Sequence, residues 1–251
     1  MKALITGASS GIGRDMAARL SKMGYDVILV ARRRERLEEL AGTLPTKAQI
    51  IVLDLSVRDK CFELYEKVKN EDIDILINNA GFGVFGNFVE TDLKKELSML
   101  DTNVTSLHIL TKLFLKDFVA KDKGYILNVA SAAAFLPGPL MAGYYASKAY
   151  VLRLTQSIGK ELKKQKSKVY IGALCPGPVS TEFGKVANVS FGVRPLESMM
   201  VAKYAIEQML RGKMVIVPGF LIKCCRIFSK LLPDRVLLSA AYHIQKGKHK
   251  R

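Results

Sequence analysis

The stretch Ala3-Leu4-Ile5-Thr6-Gly7-Ala8-Ser9-Ser10-Gly11-Ile12-Gly13 decides the fold. A short apolar run enters glycines spaced G-x-x-x-G-x-G, and a helical pattern over Gly13–Met23 follows at once. Glycine reaches positive φ without strain and lets the backbone approach a ligand closely. The free N–H groups at the start of the helix then face an anion such as a pyrophosphate. Strand, glycine turn and helix in this order separate a dinucleotide-binding turn from a merely tight one. The candidate cofactor residues here are Gly7, Ser9, Ser10, Gly11, Ile12 and Gly13.

Working outward, short apolar runs alternate with helix-length amphipathic segments. Ala3–Thr6, Val27–Ala31, Ile50–Leu53, Ile73–Asn78, Tyr125–Ala130, Val169–Cys175 and Met214–Val217 read as strands. Their unbroken apolar character suits strands buried on both faces. Gly13–Met23, Arg33–Ala41, Arg58–Lys69, Thr91–Val119, Tyr144–Lys163 and Leu196–Met209 read as helices. The alternation predicts an α/β fold, a Rossmann-type doubly wound parallel sheet of about seven strands, in a single domain over residues 1–251. Residues 180–195 break the alternation just after a strand end and are expected to form a substrate loop, the alternative being a passive surface excursion. Residues 220–251 are expected to form a basic C-terminal helical extension, split in two at Pro233.

At 251 residues the chain suffices for one well-buried domain. The formal charge is +16, and residues 211–251 carry ten Lys or Arg against the single acid Asp234. Such an end can contact a pocket or a second subunit, lie weakly on an anionic membrane, or be a solvated face. No recognition module points to nucleic acid. The cysteines Cys61, Cys175, Cys224 and Cys225 lack zinc-site spacing, so no metal is expected and reduced thiols are. Neither a signal peptide nor an apolar run of roughly 20 residues is visible, so a cytoplasmic location is expected.

Past the second strand come Arg32, Arg33 and Arg34, where a carboxylate for a ribose 2′-OH could stand and Ala31 does instead. Arginines there suit the 2′-phosphate of NADP(H). Arg32 is the first candidate and Arg33 its helper, while Arg34 is set to pair with Glu38 along a helix. Asp54-Leu55 and Asn78-Asn79-Ala80-Gly81 end the third and fourth strands and face the same crevice. Asp54 could otherwise be a helix cap and the Asn pair turn chemistry.

The fifth strand ends near Ser131, and Tyr144 follows 13 residues later in Tyr144-Tyr145-Ala146-Ser147-Lys148. Tyr144 and Lys148, four apart, share a helix face. An ammonium beside a phenol is expected to lower the phenol's pKa and make it a usable acid or base. Ser131 can donate a hydrogen bond to a carbonyl oxygen gathering negative charge. Ala132, Leu136, Pro137, Leu140, Met141 and part of Phe183–Val193, Phe183 first, form an expected apolar substrate wall that favours a hydrophobic ketone, the alternative being ordinary core packing.

With these residues in order, the chain resembles the short-chain dehydrogenases/reductases along essentially its whole length. The motifs are Thr6 to Gly13, Asp54, Asn78 to Gly81, Asn103, Ser131, Tyr144, Lys148, and Pro176-Gly177 with Val179 and Thr181. The resemblance implies a Ser–Tyr–Lys centre extended by Asn103, which holds a water in a proton relay. It implies that Lys148 also binds the nicotinamide ribose, that Val179 and Thr181 contact the nicotinamide, and that the next segment closes over substrate. It implies a homo-dimer or tetramer built on the helical patterns at 91–119 and 144–163. Leu29 to Arg33, Val217-Pro218-Gly219 and Leu232-Pro233 are similar to the branch with long-chain ketoacyl and hydroxysteroid reductases. Carbonyl–alcohol interconversion on an acyl, steroid-like or xenobiotic ketone is the leading expectation. The alternatives are an NADP-binding sensor or scaffold without turnover, and an isomerase or dehydratase on the same fold.

Overall fold

Adjacent residues of a strand point to opposite sides, so a strand between two helical layers must be apolar at every position. The computed structural model, which describes residues 1–189, 194–229 and 231–246, fits this rule along β1 (Lys2–Thr6). Ala3 and Ile5 enter one core and Leu4 the other, all fully buried. The chain continues through α1 (Gly11–Lys22), β2 (Asp26–Ala31), α2 (Arg34–Gly42), β3 (Ala48–Val52), α3 (Arg58–Val68), β4 (Ile75–Asn78) and α4 (Leu93–Leu100). Then come α5 (Leu107–Lys121), β5 (Tyr125–Val129), α6 (Ala142–Lys164), β6 (Tyr170–Leu174), β7 (Val179–Ser180) and α7 (Phe183–Val186). β8 (Leu196–Glu197), α8 (Ser198–Leu210), β9 (Val215–Ile216), α9 (Phe220–Phe228) and α10 (Asp234–Lys246) complete it.

The main sheet has seven strands in the order β3-β2-β1-β4-β5-β6-β9, every neighbouring pair parallel. It is the expected doubly wound Rossmann-like α/β domain. The chain starts in the middle at β1, builds outward to β3, then crosses to β4 and builds the other way. The order reverses between β1 and β4, and there the carboxyl ends of the strands leave a crevice. One core joins the sheet to Met16, Ala17 and Leu20 of α1 and Val201, Ala205 and Met209 of α8. The other joins it to Leu64 of α3 and Leu110, Phe114 and Phe118 of α5.

A polar ladder crosses this second layer. Asn78 Nδ2 donates to Asn128 Oδ1 at 2.9 Å and to Thr111 Oγ1 at 3.0 Å, and Asn128 Nδ2 donates to Thr155 Oγ1 at 3.0 Å. These four buried residues tie β4 and β5 to α5 and α6. Asn78 is therefore a sheet-to-helix strut and not turn chemistry.

Three other expectations change in detail, and a fourth, the split of the extension, holds. The single helix predicted over Thr91–Val119 is α4, capped by Asp92, then a π-helical turn Asp101–Ser106, then α5. The pattern predicted as helix from Leu196 begins with β8, and the helix starts at Ser198. Within the expected loop 180–195, β7 pairs with β8 and α7 lies between them, while 190–193 fall outside the described residues. The extension breaks at Pro233 into α9 and α10, with 230 and 247–251 outside the described residues. In α9, Ile222 packs inward while Phe220, Leu221, Ile227 and Phe228 stay exposed. Among the described residues no helix is long and apolar enough to cross a membrane.

Phe114 is buried at 2 % exposure and meets Tyr65 edge-on with ring centroids 5.5 Å apart. Phe114→Ala should lower the unfolding free energy by about 3–5 kcal/mol. A urea midpoint that does not move would show that the α5 layer does not hold the sheet.

Candidate active site

The crevice is built from the turn after β1 and the turn after β4. Thr6 Oγ1 donates to the Ile77 carbonyl at 3.3 Å and accepts from the backbone N–H of Asn79 at 3.0 Å and of Ala80 at 3.1 Å. Asn79 Nδ2 donates to the carbonyls of Thr6 and Gly7 at 3.0 and 3.2 Å. Gly7 and Gly11 have φ of 66° and 55°, in the left-handed region that favours glycine. A Cβ on Gly7 or Gly13 would strike Asn79, and one on Gly11 would strike Thr181. Among the described residues, the N-cap Ser10 makes no capping bond to α1, and the first turn holds no acid. Open N–H groups above a glycine cradle fit the pyrophosphate of a dinucleotide. Ile12 packs on the core behind the turn.

At the far end of this turn the arginines divide differently from expectation. Arg33 turns back on the turn, its Nη2 3.1 Å and Nε 3.3 Å from Ser9 Oγ. Arg32 is 66 % exposed and lies 3.6 Å from Asp54. Arg34 meets Glu38 at 3.6 Å, the expected helical pair. The arginine aligned with the glycine turn is thus Arg33. The alternation of a strand end, which points neighbours apart, gives the reason. Asp54 also accepts from the Ser56 N–H at 3.0 Å and its hydroxyl at 2.8 Å. Burial raises its pKa, but these bonds and Arg32 outweigh that and hold the carboxyl below its usual range. Leu55 points into the core, so its backbone alone can face the crevice.

Lys148 is 5 % exposed, and its ammonium donates to the Val129 carbonyl at 2.9 Å, 5.9 Å from the centre of the Tyr144 ring. Burial pulls this amine down to about 8. Burial pushes the Tyr144 phenol up to about 12, against the pull of a hydrogen bond with Ser131. The lower phenol pKa expected beside Lys148 is not found in this pocket, where burial sets the net shift upward. Desolvation of the charged forms dominates, and the ammonium is engaged by a carbonyl. Ser131 Oγ itself accepts from the Ala133 N–H at 3.1 Å.

Asn103 lies in the π-helical turn, 1 % exposed. It accepts from the Phe82 N–H at 3.0 Å and donates to the Phe82 carbonyl at 2.9 Å and to Ser147 at 3.2 Å. A Cβ on Gly81 would lie 2.7 Å from Asn103 Oδ1 and 3.3 Å from Lys148 Nζ, so Gly81 is where these elements meet. The extra residue of a π-turn re-aims the side chain, a device common at functional sites.

Around the Tyr144 ring, Met141 and Phe183 form a cluster with it, and the Phe183 ring centroid is 5.2 Å from that of Tyr144. Ala132 and Leu136 are half-buried and lie outside this cluster, Ala132 donating its N–H to Pro176 at 2.8 Å. Ala187 and Val189, from the expected segment after Phe183, join this cluster, and so do Val84 and Met99, which were not anticipated. Val179 sits in the core beside the crevice, and Gly177 is pressed by Ile222 of α9. From α10, buried Gln245 donates to the Tyr145 hydroxyl, so the extension reaches the residue next to Tyr144.

Residues 1–189 match the family model for short chain dehydrogenases. The chain is 34 % identical over 213 residues to an uncharacterized oxidoreductase of Staphylococcus epidermidis, covering 82 % of this chain and 90 % of that one. It is 35 % identical over 196 residues to human 17-beta-hydroxysteroid dehydrogenase type 3, covering 75 % of this chain and 62 % of that one. A short-chain dehydrogenase from Sphingobium yanoikuyae, solved with NADPH, superimposes with a TM-score of 0.82 at 31 % identity, covering 87 % of this chain and 88 % of that one. The protein belongs to the short-chain dehydrogenase/reductase family. It is an oxidoreductase of that family, acting with a nicotinamide cofactor.

Lys148 titrates near 8 in the fold against 10.5 when free. Between these values the unfolded chain binds the extra proton, so stability rises with pH. Cys61 and Cys175, which burial raises from 9.0, oppose this only above 9. Urea midpoints should therefore climb from about pH 8 to about pH 9, and Lys148→Met should flatten the climb.

Proposed function

We propose that the protein is an NADP(H)-dependent reductase of hydrophobic ketones, reversible as oxidation of the secondary alcohol. The observation that carries the cofactor choice is Arg33 held on Ser9 at the edge of the glycine turn. A guanidinium and a hydroxyl side by side offer charge-assisted hydrogen bonds to a 2′-phosphate, with Arg32 as the outer cation beside Asp54. Gly7, Ser10, Gly11, Ile12 and Gly13 take the pyrophosphate, and Asp54, Leu55, Asn79, Ala80 and Gly81 line the adenosine side. Pro176, Gly177, Val179 and Thr181 flank the nicotinamide, which supplies or accepts the hydride when bound.

Tyr144 is the general acid. Protonated throughout the neutral range, its phenol gives its proton to the carbonyl oxygen as negative charge develops there. Ser131 donates a second hydrogen bond to that oxygen and needs no proton transfer to do so. Lys148 binds the nicotinamide ribose and, once it leaves the Val129 carbonyl, favours the phenolate left behind. Asn103 braces Phe82 and Ser147, keeping the turn after β4 against α6. Met141 and Phe183 exclude water from the reacting carbon, with Val84 and Met99 in the same cluster, and Ala132 and Leu136 extend the wall beyond it. A wall of this composition favours an acyl, steroid-like or xenobiotic ketone over a sugar phosphate. The contact of Gln245 with Tyr145 supports a role for α10 as a cap on the substrate pocket. The family resemblance extends to a homo-dimer or tetramer through α5 and α6, whose Val119 and Tyr150 are exposed.

NADPH consumption over a panel of hydrophobic ketones tests the reaction. Tyr144→Phe should lower kcat by about 10²–10⁴-fold. Wild-type rates in that variant would refute the acid, and tight NADP binding with no turnover on any ketone would leave a sensor. Alcohol oxidation should rise from about pH 7 to about pH 9 as the phenol is more readily ionised, while ketone reduction should not. Arg33→Ala should weaken NADPH by about tenfold to a hundredfold and spare NADH. Equal losses for both cofactors would refute the 2′-phosphate assignment.

A further inference from the structure

Three consecutive residues reach three different parts of the crevice. The Thr181 methyl lies 2.9 Å from where a Cβ on Gly11 would stand, over the glycine turn. Glu182 spans two arginines: its Oε2 is 2.8 Å from Arg33 Nη1 and its Oε1 3.3 Å from Arg36 Nη2. Phe183 packs against Tyr144 with the rings tilted by 50°, and its ring tip is 2.9 Å from a Cβ position on Gly83. The hydrogen bond and charge of Arg33 hold the Glu182 carboxyl below its usual range, with Arg36 and a hydrogen bond to Ser10 adding to this.

Arg33 therefore serves two groups. Nε and Nη2 face Ser9, and Nη1 faces Glu182. A phosphate arriving at Ser9 would stand beside the Glu182 carboxylate, and two anions on one guanidinium repel. Glu182 precedes α7, and its neighbour Phe183 begins that helix, so a shift of its backbone moves Phe183 with it. The sequence treats Glu182 as one more polar loop residue. Only the distance to Arg33, 149 positions away in the chain, singles it out.

We propose that Glu182 is a specificity-determining residue of the adenosine end: its carboxylate competes with the cofactor's 2′-phosphate for Arg33 and Arg36, and the phosphate, by displacing it, lifts Phe183 from Tyr144. This rests on the assignment of Arg33 to the 2′-phosphate. A dinucleotide without that phosphate leaves the ion pairs intact and Phe183 over the catalytic phenol. One with it takes Arg33, and the bond between residues 182 and 183 carries the change about one residue length to the substrate side. A ligand shifts such an equilibrium only through its different affinity for the two arrangements, and the 2′-phosphate is the group that differs. The opposite arrangement is one in which Glu182 merely orients Arg33 toward the phosphate. The two differ in sign, because removing an orienting group weakens phosphate binding and removing a competitor tightens it.

The probes are 2′,5′-ADP, which carries the 2′-phosphate without a nicotinamide, and 5′-AMP, the same molecule without that phosphate. Titration calorimetry on the wild-type protein and on Glu182→Gln compares them. Two partly exposed ion pairs of modest strength predict that Glu182→Gln binds 2′,5′-ADP about threefold to tenfold more tightly and 5′-AMP unchanged. Tightening of both probes alike, no tightening, or weaker 2′,5′-ADP binding overturns the competition. A wild-type protein that binds 2′,5′-ADP no better than 5′-AMP also overturns it, and in that case the fault lies in the Arg33 assignment. The motion has its own readout, because the chain contains no tryptophan. With Phe183→Trp as the single fluorophore, 2′,5′-ADP should shift the emission and 5′-AMP should not. The double variant Glu182→Gln, Phe183→Trp should start from the shifted emission. Emission that responds to neither probe rules out the coupling to Tyr144.

Discussion

The hydroxyl of Thr6 holds the crevice in shape. It is one atom, but it accepts from two successive N–H groups of the turn after β4 and donates to the strand that precedes them. The carboxyl ends of β1 and β4 are thereby fixed at the place where the sheet changes direction, and the crevice between them has a defined width. Asn79 closes the same joint from the other side. The glycines at positions 7 and 13 follow from that closeness, since the space a Cβ would need is already filled by Asn79. Ligand geometry and sheet geometry are thus one constraint, and substitution of Thr6 would be felt in both.

The same closeness sets the electrostatics at the other end. Lys148 and Tyr144 sit in a pocket where charge is costly, and burial moves each toward its neutral form, the amine down and the phenol up. A phenol so placed keeps its proton at neutral pH, the form that the proposed reduction would require. Lys148 is meanwhile kept in place by the Val129 carbonyl to which it donates. Spacing along a helix shows that two residues share a face. It does not show which of two opposed effects, attraction between charges or loss of water, is the larger.

Much of the fold was legible because its signals are local. Unbroken apolar runs reported strands covered on both faces, and the glycine turn marked the point where the first strand meets its helix. Pro233 marked the break in the extension for the same reason. What escaped depends on contacts between distant parts of the chain. The π-turn at Asn103 looks like ordinary helix in a hydropathy pattern, because one extra residue in a turn leaves the apolar stripe nearly intact. Asn128, Thr111 and Thr155 give no sign in the sequence that they will find one another across three elements. Arg32 and Arg33 are adjacent, and only the direction of the strand end decides which one meets Ser9.

The segment after β6 shows how a short piece of backbone can join sites that the sheet keeps apart. The glycine turn, the arginine that follows β2 and the tyrosine of α6 come from three separate elements, and residues 181–183 touch all three. Side chains of successive residues in a turn diverge, so three residues can reach three directions from nearly one point. A group bound at any of the three must then reckon with the other two, because the peptide bonds between them stretch by almost nothing. Coupling between the cofactor side and the substrate side therefore needs no long chain of packed residues in this protein. It needs only that the ion pairs at Glu182 and the packing of Phe183 against Tyr144 be exclusive of the ligands that use the same groups.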